Sequence, residues 1–498
     1  MNYKPTIGLE IHAELKTNTK MFCSCKNDPD ERHPNINICP VCLGHPGTLP
    51  VANKEAIHKV LKFGAAIGAA VADESRFDRK NYFYPDLPKG YQISQFQYPL
   101  VKEGVLILPF SGKKVRITRA HLEEDAARST HEGKATLVDF NRAGVPLMEL
   151  VTEPDLSSAG EAREFAEELQ LIFRYLGVSD ADMEKGQMRV EANISIAPTP
   201  GVGDAQTPGV KKLGTKVEVK NINSFKAVLR TIEFEIARQS ELVDRGEKVK
   251  QETRGWDDVH QKTISQRSKE EAHDYRYFPE PDLPPIKLSE VPEFSFSALT
   301  HELPELPNQK RVRFRKEYGI NGEKLEIFVR DKKLAEFFEE AVSEGNRWTN
   351  ETDPKKITEF TVNYLTSDLV GILKDKELSV EDVKVTPENF GELIKMIVRG
   401  EISSRGAKDI LSILIESSES PAEIAKREGF LQTSNVGELE NIARAILASY
   451  DEAVQDYKKG KEVSLQFLIG QAMREAKSQK IGANPATLRE ILLKLLKT

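Results

Sequence analysis

Short segments in which apolar and polar residues alternate recur before residue 292 of this chain. Such alternation predicts β-strands with two different faces, because successive side chains of a strand point to opposite sides of the sheet. Three of these segments, at residues 7–14, 189–196 and 216–220, have an unusually charged second face. The polar residues on these faces are Gly8, Glu10, His12, Glu14, Arg189, Glu191, Asn193, Ser195, Lys216, Glu218 and Lys220.

A second periodicity, with apolar residues three or four positions apart, predicts helices. Two such helices fall in the first part of the chain: segment 161–176, which ends at Gly177, and the segment that follows Ser224. The proline-rich stretch 279–285 interrupts regular structure, and the helical pattern dominates after it. The sequence therefore predicts an α+β fold, in which a largely antiparallel sheet with flanking helices precedes an all-helical region.

All four cysteines of the chain lie within 20 residues, at Cys23, Cys25, Cys39 and Cys42. Two close pairs of thiolates are typical of a closed tetrahedral Zn²⁺ site, which stabilises a loop and does no chemistry. Four reduced cysteines without a metal are the alternative. A redox pair at Cys39 and Cys42 is less favoured, because no βαβ pattern surrounds it.

Composition and charge narrow the class of protein. Of the 498 residues, 30% are charged and 39% are hydrophobic, and 22 Phe and 12 Tyr argue against a disordered chain. The net charge of −7 argues against indiscriminate binding of nucleic acid. The N-terminus lacks an apolar secretory signal and no apolar run is long enough to span a bilayer, so we expect a soluble cytoplasmic protein.

Charge is distributed unevenly along the chain. Residues 457–498 contain nine Lys and Arg against three Asp and Glu, a local balance of +6 that leaves −13 for the rest. A basic helical tail on an acidic body is suited to contact with the phosphates of RNA. A helical face that is merely solvated is the alternative.

The polar strand faces offer carboxylates beside cationic side chains. Hard divalent cations bind carboxylate oxygens, and phosphates bind Lys, Arg and backbone N–H groups, so these faces suit a Mg²⁺–nucleotide site. His121 and Glu123 share one side of a further predicted strand, and Glu149 follows a turn at Gly144. A sheet with one side in water is the alternative. The chain contains no P-loop, dinucleotide-binding, zinc-protease or nucleophile-elbow motif.

Seven longer motifs resemble a known family. They are GLEIH at 8–12, CPVCLG at 39–44, KNYFYPDLPKGYQ at 80–92, HLEED at 121–125, DFNR at 139–142, GTKVEVKN at 214–221 and SKEEAHDYRYFP at 268–279. In these motifs, and in the order of segments along its full length, the chain resembles the B subunit of the aspartyl/glutamyl-tRNA(Asn/Gln) amidotransferase, the GatB family.

The resemblance implies an activity and partners. The B subunit of this family works in a heterotrimer with an amidase subunit, which releases ammonia from glutamine, and with a third, small subunit. It uses ATP and Mg²⁺ to phosphorylate the side-chain carboxylate of Asp-tRNA(Asn) or Glu-tRNA(Gln). Ammonia then displaces the phosphate to give Asn-tRNA(Asn) or Gln-tRNA(Gln). The alternative is a non-catalytic, zinc-stabilised protein that binds tRNA or assists assembly.

The resemblance also implies roles for particular residues. The predicted catalytic and Mg²⁺-binding residues are Glu10, His12, Glu123 and Glu149. The predicted nucleotide-binding residues are Glu191, Asn193, Glu218, Lys220 and Asn221. Lys80 and Lys89 are expected at the mouth of the ammonia channel, with plain surface charge as the alternative. The four cysteines match the zinc-bearing members of the family.

The implied domain organisation has three parts. Residues 1–292 form a cradle-like catalytic domain that carries the Cys₄ zinc loop at 23–42. Residues 293–410 form a helical domain, and residues 411–498 form a C-terminal helical tail domain that contacts tRNA.

Overall fold

A computed structural model describes residues 3–198, 213–268, 275–347, 353–431, 436–479, 481–483 and 485–497. The chain forms two compact units, Met1–Asn308 and Gln309–Thr498. The first unit mixes strands and helices and the second is helical, which confirms the predicted α+β class. The three-domain division, with boundaries at 292/293 and 410/411, stays a prediction.

The first unit contains most of the β-structure of the described residues. Its strands are β1 (Tyr3–Glu14), β2 (Ala70–Val71), β3 (Glu74–Ser75), β4 (Asp78–Asn81), β5 (Tyr91–Ser94), β6 (Val101–Ile107), β7 (Lys114–Glu124), β8 (Arg128–Glu132), β9 (Ala135–Asp139), β10 (Pro146–Thr152), β11 (Met188–Pro198), β12 (Val217–Ile222), β13 (Glu252–Asp257), β14 (Lys262–Ser268), β15 (Phe278–Pro279) and β16 (Ile286–Lys287). Its helices are α1 (Lys54–Ala66), α2 (Ala159–Leu176), α3 (Phe225–Asp244) and α4 (Phe296–His301).

Nine of these strands form one central sheet, in the order β14-β13-β12-β11-β1-β10-β7-β6-β2. Neighbouring strands are antiparallel except for β12 and β13, which are parallel. The prediction of a largely antiparallel sheet is therefore confirmed. The long strand β1 lies at the middle of the sheet, between β11 and β10.

One face of the sheet packs on helices. The alternating residues Ile7, Leu9 and Ile11 of β1 are almost completely buried, in one core with Phe165 of α2 and Ile232 of α3. Both predicted helices are present, and each begins where a serine side chain accepts a hydrogen bond from the backbone of the first turn. Because side chains alternate along a strand, burial of the apolar residues fixes the register and directs the polar residues to the opposite face.

Apart from one isolated β-bridge, the regular secondary structure of the second unit is helical in its described residues. Its helices are α5 (Pro307–Tyr318), which begins just before the unit boundary, α6 (Gly322–Arg330), α7 (Lys332–Asn346), α8 (Pro354–Asn363), α9 (Val370–Asp375), α10 (Pro387–Val398), α11 (Ser404–Leu414), α12 (Pro421–Glu428), α13 (Val436–Ser449), α14 (Asp451–Lys458), α15 (Glu462–Ser478) and α16 (Pro485–Lys497). A π-helical turn joins α8 to α9. The last four helices share a core of their own, in which Leu439, Leu468 and Leu492 are fully buried.

Among the described residues, no helix combines the length and the apolar character that crossing a bilayer requires.

Candidate active site

Two rows of aligned residues cross the polar face of the central sheet. The first row, formed by Cα partners on β11, β1, β10 and β7, is Arg189, His12, Glu149 and His121. The second row is Glu191, Glu10, Val151 and Arg119. Opposed residues of neighbouring strands have Cβ atoms about 5 Å apart, so residues distant in sequence meet in these rows.

The two histidines of the first row converge on Glu149. Nε2 of His12 lies 3.4 Å from Oε2 of Glu149, and Nε2 of His121 lies 3.4 Å from the same oxygen. His12 also approaches Glu123, with 3.6 Å between Nε2 and Oε1. The turn before β10 that presents Glu149 places Gly144 at φ +84°, a left-handed conformation that glycine adopts without strain.

Three groups of side chains in this region could each hold a cation, since within each group the ligand atoms lie within 4.8 Å of one another. The groups are Glu10–His12–Glu149, His121–Glu123–Glu149 and Glu10–Glu191–Glu218. Glu10 and Glu149 each belong to two groups, so the three candidate positions form one continuous acidic patch.

The patch is the floor of a cavity of about 490 Å³. Residues from outside the central sheet complete its walls, among them Lys80 at the β4–β5 hairpin and the tyrosines Tyr82, Tyr275 and Tyr277. Nζ of Lys80 lies 3.6 Å from Oε2 of Glu123 and 5.4 Å from the ring centre of Tyr275. The cavity therefore brings a buried cation and aromatic rings next to the carboxylates.

The electrostatics show that these carboxylates repel one another. Burial, followed by the charges of Glu149 and Glu191, raises the pKa of Glu10 to about 7. Burial alone would lower the pKa of His12, but its hydrogen bond to Glu149 and the neighbouring negative charges raise that pKa to about 9. Burial also opposes ionisation of Glu149, yet His121 and His12 hold its pKa well below the usual range.

Several polar atoms in the cavity lack hydrogen-bond partners in the described part of the chain. They are Nδ1 of His121, Nε of Arg119 and Oε2 of Glu123, which has the ion-pair contact with Lys80 at 3.6 Å but no hydrogen bond. Buried polar atoms are normally paired, and groups without a partner point to a missing ligand, ion or water. Carboxylate oxygens that repel one another, next to unpaired polar atoms, fit a divalent cation and the phosphates it accompanies.

Most of the predicted site residues meet in this one cavity. Those that line it are Glu10, His12, Lys80, Glu123, Glu149, Glu191, Glu218 and Lys220. Nζ of Lys220 lies 2.6 Å from Oε2 of Glu191. Their catalytic and binding roles stay predictions, because a shared cavity establishes proximity and not chemistry.

Three predicted residues lie elsewhere. Lys89 pairs with Glu124, 2.5 Å from Nζ to Oε2, and borders a separate cavity of about 220 Å³ beside the cysteines. Asn193 does not line the acidic cavity, and its Oδ1 is buried without a hydrogen-bond partner among the described residues. Asn221 is exposed at φ +62°, at a bend in β12. The two lysines predicted at one channel mouth thus border different cavities, each paired with a carboxylate.

Sequence reasoning missed other residues that line the cavity. Arg119 lies two residues before His121 on the same face of β7, so the alternation that indicated Glu123 also contained it. The sequence pattern puts Arg189 on a polar strand face but gives it no role. Tyr275 and Tyr277 reach the cavity from outside the central sheet, and no periodicity in the sequence indicates that approach.

The four cysteines form a second candidate site in the first unit. Their Sγ atoms lie within 4.8 Å of one another, and those of Cys39 and Cys42 are 3.8 Å apart. A tetrahedron with Zn–S bonds of about 2.3 Å has edges of about that length. A hydrogen bond with Cys23 lowers the pKa of the Cys42 thiol to about 5, which favours the thiolate form that binds metals. The cluster could therefore hold a metal ion.

Two family models match this chain. The GatB/GatE catalytic domain matches residues 5–292, and the GatB domain matches residues 336–496. The first match contains the acidic cavity and the four cysteines. The second match lies within the helical unit.

Curated relatives agree along the whole length. A protein of Thermotoga maritima is 45% identical, over 100% of this chain and 99% of the relative. A protein of Persephonella marina is 44% identical over 100% of both chains, and one of Carboxydothermus hydrogenoformans is 41% identical over 98% of both. All three are named as the B subunit of the aspartyl/glutamyl-tRNA(Asn/Gln) amidotransferase, a name that implies an enzyme of several subunits acting on tRNA. The chain therefore belongs to the GatB family of tRNA-dependent amidotransferase subunits, carbon–nitrogen ligases that act in protein biosynthesis.

Proposed function

We propose that this chain activates the side-chain carboxylate of Asp-tRNA(Asn) or Glu-tRNA(Gln) with ATP, so that ammonia can convert it to the amide. The observation that carries the proposal is the convergence of Glu10, His12, Glu123 and Glu149 on one face of the central sheet, in one cavity. Family membership supplies the substrate class, and the acidic cavity supplies a place where a cation and phosphates fit together.

The proposed reaction has two steps, phosphoryl transfer to the carboxylate and then displacement of phosphate by ammonia. A carboxylate oxygen of the aminoacyl group attacks the γ-phosphorus of ATP, and the bond to the β–γ bridging oxygen breaks so that ADP leaves with the electron pair. Ammonia then attacks the acyl carbon, and the carbon–oxygen bond breaks so that inorganic phosphate leaves with the electron pair. The nitrogen loses one proton, which the phosphate or water takes up, and the amide forms. Phosphoryl transfer depends mainly on positioning and charge stabilisation, and a rigid central strand such as β1 suits that demand.

We assign Mg²⁺ to the part of the acidic patch that contains Glu10, His12, Glu123 and Glu149. When bound there, Mg²⁺ would neutralise charge on the transferring phosphoryl group. Glu191 and Glu218 belong to the same patch through Glu10, and Lys220 pairs with Glu191. These three residues are suited to orient the nucleotide. Asn193 and Asn221 are weaker candidates for this role, because neither lines the cavity.

The ammonia comes from a partner in this proposal. An amidase subunit, which hydrolyses glutamine, and a small third subunit complete a heterotrimer with this chain. Lys80, held between Glu123 and Tyr275, stands at the wall of the acidic cavity, where arriving ammonia can be bound. The Lys89–Glu124 pair borders the adjacent cavity and can serve an earlier part of the path. We place the reaction in the cytoplasm, and we assign tRNA contact to the basic residues of 457–498.

We further propose Zn²⁺ at the four cysteines. Lys20, which is completely buried, contributes to the low pKa of Cys42 and can offset the net negative charge of a Zn(Cys)₄ centre. The metal would stabilise the loop that borders the Lys89 cavity, away from the acidic patch.

The experiment that tests the proposed function measures ATP cleavage in the heterotrimer reconstituted from this chain and its amidase and small partner subunits. We expect cleavage to ADP to require tRNA misacylated with Asp or Glu, because the carboxylate is the acceptor of the phosphoryl group. Uncharged tRNA and correctly amidated tRNA are the controls. A chain that only binds tRNA or assists assembly would show no ATP cleavage that depends on the misacylated tRNA, and that result would contradict the proposal.

A further inference from the structure

Arg189 differs from the other cationic side chains of the acidic cavity in how it is paired. Lys80 pairs with Glu123, Arg119 approaches Glu149, and Lys220 pairs with Glu191. Each of those partners is a carboxylate assigned above to the metal or the nucleotide. Arg189 instead pairs with Asp125, which belongs to neither group.

Asp125 neutralises the charge of Arg189 only in part, because it is paired with a second arginine as well. Asp125 also binds the guanidinium of Arg142 through Nε, so two arginines share one buried carboxylate. Arg142 extends further, with Nη2 2.7 Å from Oε1 of Glu14. Arg189 is thus tied to a chain of ion pairs that runs through Asp125 and Arg142 to Glu14, while positive charge remains available on its exposed side.

The geometry of the Arg189–Asp125 pair leaves donors for a ligand. Both contacts to Asp125, at 3.1 and 3.0 Å, use Nη2 of Arg189. In the parts of the chain that the structure describes, Nε and Nη1 of Arg189 donate no hydrogen bond. The side chain is 42% exposed and lines the cavity. A guanidinium with free N–H groups on a fixed support is the usual partner of a carboxylate.

The position of Arg189 is next to the proposed chemistry. Its Cα partner on β1 is His12, the central residue of the first row. Neighbours of this kind have Cβ atoms about 5 Å apart, and Arg189 lines the same cavity as the proposed metal ligands His12 and Glu149.

The cavity also needs such a cation for its substrate, in an argument that rests on the proposed function. Six carboxylates line it, at Glu10, Glu123, Asp125, Glu149, Glu191 and Glu218. Four Lys and Arg side chains line it too, and all of them except Arg189 lie beside carboxylates assigned to the metal or the nucleotide. The remaining excess of negative charge repels an entering aspartyl or glutamyl carboxylate, and the charge of one divalent cation is shared with the phosphates of ATP. A cation that is not already neutralised by the metal and nucleotide ligands is required to hold the substrate carboxylate.

We infer that Arg189 binds the side-chain carboxylate of the misacylated aminoacyl group and holds it beside the γ-phosphate of ATP. The side-chain amide of the product carries no negative charge, so Arg189 also makes the cavity bind the carboxylate substrate more tightly than the amide product. Arg189 is in this account a specificity-determining residue of the amidation reaction.

The test compares Arg189→Gln with wild type in the heterotrimer. Removal of Arg189 leaves Asp125 paired with Arg142, so we expect the variant to fold, and Arg128→Gln on the exposed strand β8 is the matched control. The first measurement is the affinity for Asp-tRNA(Asn) relative to Asn-tRNA(Asn), without ATP. We expect the preference for Asp-tRNA(Asn) over Asn-tRNA(Asn) to fall about tenfold or more in Arg189→Gln, because a charge-assisted hydrogen bond to the side-chain carboxylate is lost. Arg189→Lys should keep part of the preference.

The second measurement is the affinity for Mg-ATP without tRNA, which should change less than about twofold in Arg189→Gln. An unchanged preference for Asp-tRNA(Asn) would overturn the inference. A loss of Mg-ATP affinity with an unchanged tRNA preference would overturn it too, since Arg189 would then bind phosphate. Absence of tRNA-dependent ATP cleavage in the wild-type trimer is a separate result, which would contradict the proposed function whatever Arg189 does.

Discussion

Glu149→Gln is expected to lower tRNA-dependent amidation by at least about 100-fold in the heterotrimer, while glutamine hydrolysis by the amidase partner continues. The reason lies in the two histidines that meet at one oxygen of this residue, each 3.4 Å away. Glu149 also belongs to two of the three groups that could hold a cation. Gln keeps the size of the side chain but removes the charge, so a cation loses an anionic ligand and the two imidazoles lose their charged acceptor.

The measurement is the rate of Asn-tRNA(Asn) or Gln-tRNA(Gln) formation, with glutamate release recorded in parallel. Glu132→Gln on the exposed strand β8 is the matched control and should behave as wild type. Parallel loss of both activities in Glu149→Gln would indicate damage to assembly. Full retention of amidation would contradict the assignment of Glu149 to the metal site.

Cys42→Ser is expected to reduce bound zinc from about one equivalent per chain to less than half, and to lower the melting temperature by about 5–10 °C. Cys42 is the buried member of the cysteine cluster and the one with a lowered thiol pKa, so its thiolate anchors the site. Its Cβ lies 3.6 Å from where a Cβ on Gly144 would be, so the loop packs against the turn that leads into β10. Loss of the metal should therefore destabilise the first unit more than loss of a metal from an isolated surface loop would.

The measurements are elemental analysis of the purified protein and thermal unfolding of both variants. His45→Ala is the control, because His45 is exposed in the same loop and lies outside the cysteine cluster. Wild-type protein with less than about half an equivalent of zinc would refute the Cys₄ site. A normal zinc content in Cys42→Ser would refute the assignment of this cysteine.

Much of the first unit follows from patterns that the sequence displays. Strand β1 is predicted from alternation, since its apolar residues must enter the core and Glu10 and His12 must then leave it. Helix α2 ends at Gly177, which adopts the left-handed conformation that its position as the predicted stop requires. These features are local, and each depends on residues that are adjacent in sequence.

The composition of the site depends on features that are not local. That His12 lies opposite Arg189 on one side and Glu149 on the other is set by the pairing of strands more than 130 residues apart. A single sequence shows which face a residue occupies but not which neighbour it meets. The same limit explains why Lys80 and Lys89 border different cavities although they are nine residues apart. Lys80 lies in β4, and Lys89 lies in the connection that leads back to β5.

Some assignments from family resemblance concern residues that do not reach the cavity. Asn193 shares a face of β11 with Glu191 but lies two residues further along the strand, opposite Gly8 of β1, and it does not line the cavity. Asn221 follows Lys220 at a bend, where its positive φ turns it away from the strand's alternation. Asn193 lies opposite Glu218 on β12, yet neither asparagine lines the cavity, so a position next to the carboxylates along or across the strands does not bring a side chain into it.

The central claim is that Glu10, His12 and Glu149 hold the cation that accompanies ATP. The most direct measurement is pulsed electron paramagnetic resonance of the heterotrimer with Mn²⁺ in place of Mg²⁺ and ADP as nucleotide. We expect one nucleotide-dependent Mn²⁺ per chain, with coupling to an imidazole nitrogen. The nitrogen coupling should disappear in His12→Ala, and the bound Mn²⁺ itself should be lost in Glu149→Gln. A bound Mn²⁺–ADP complex that shows no nitrogen coupling and is unchanged by either substitution would contradict it.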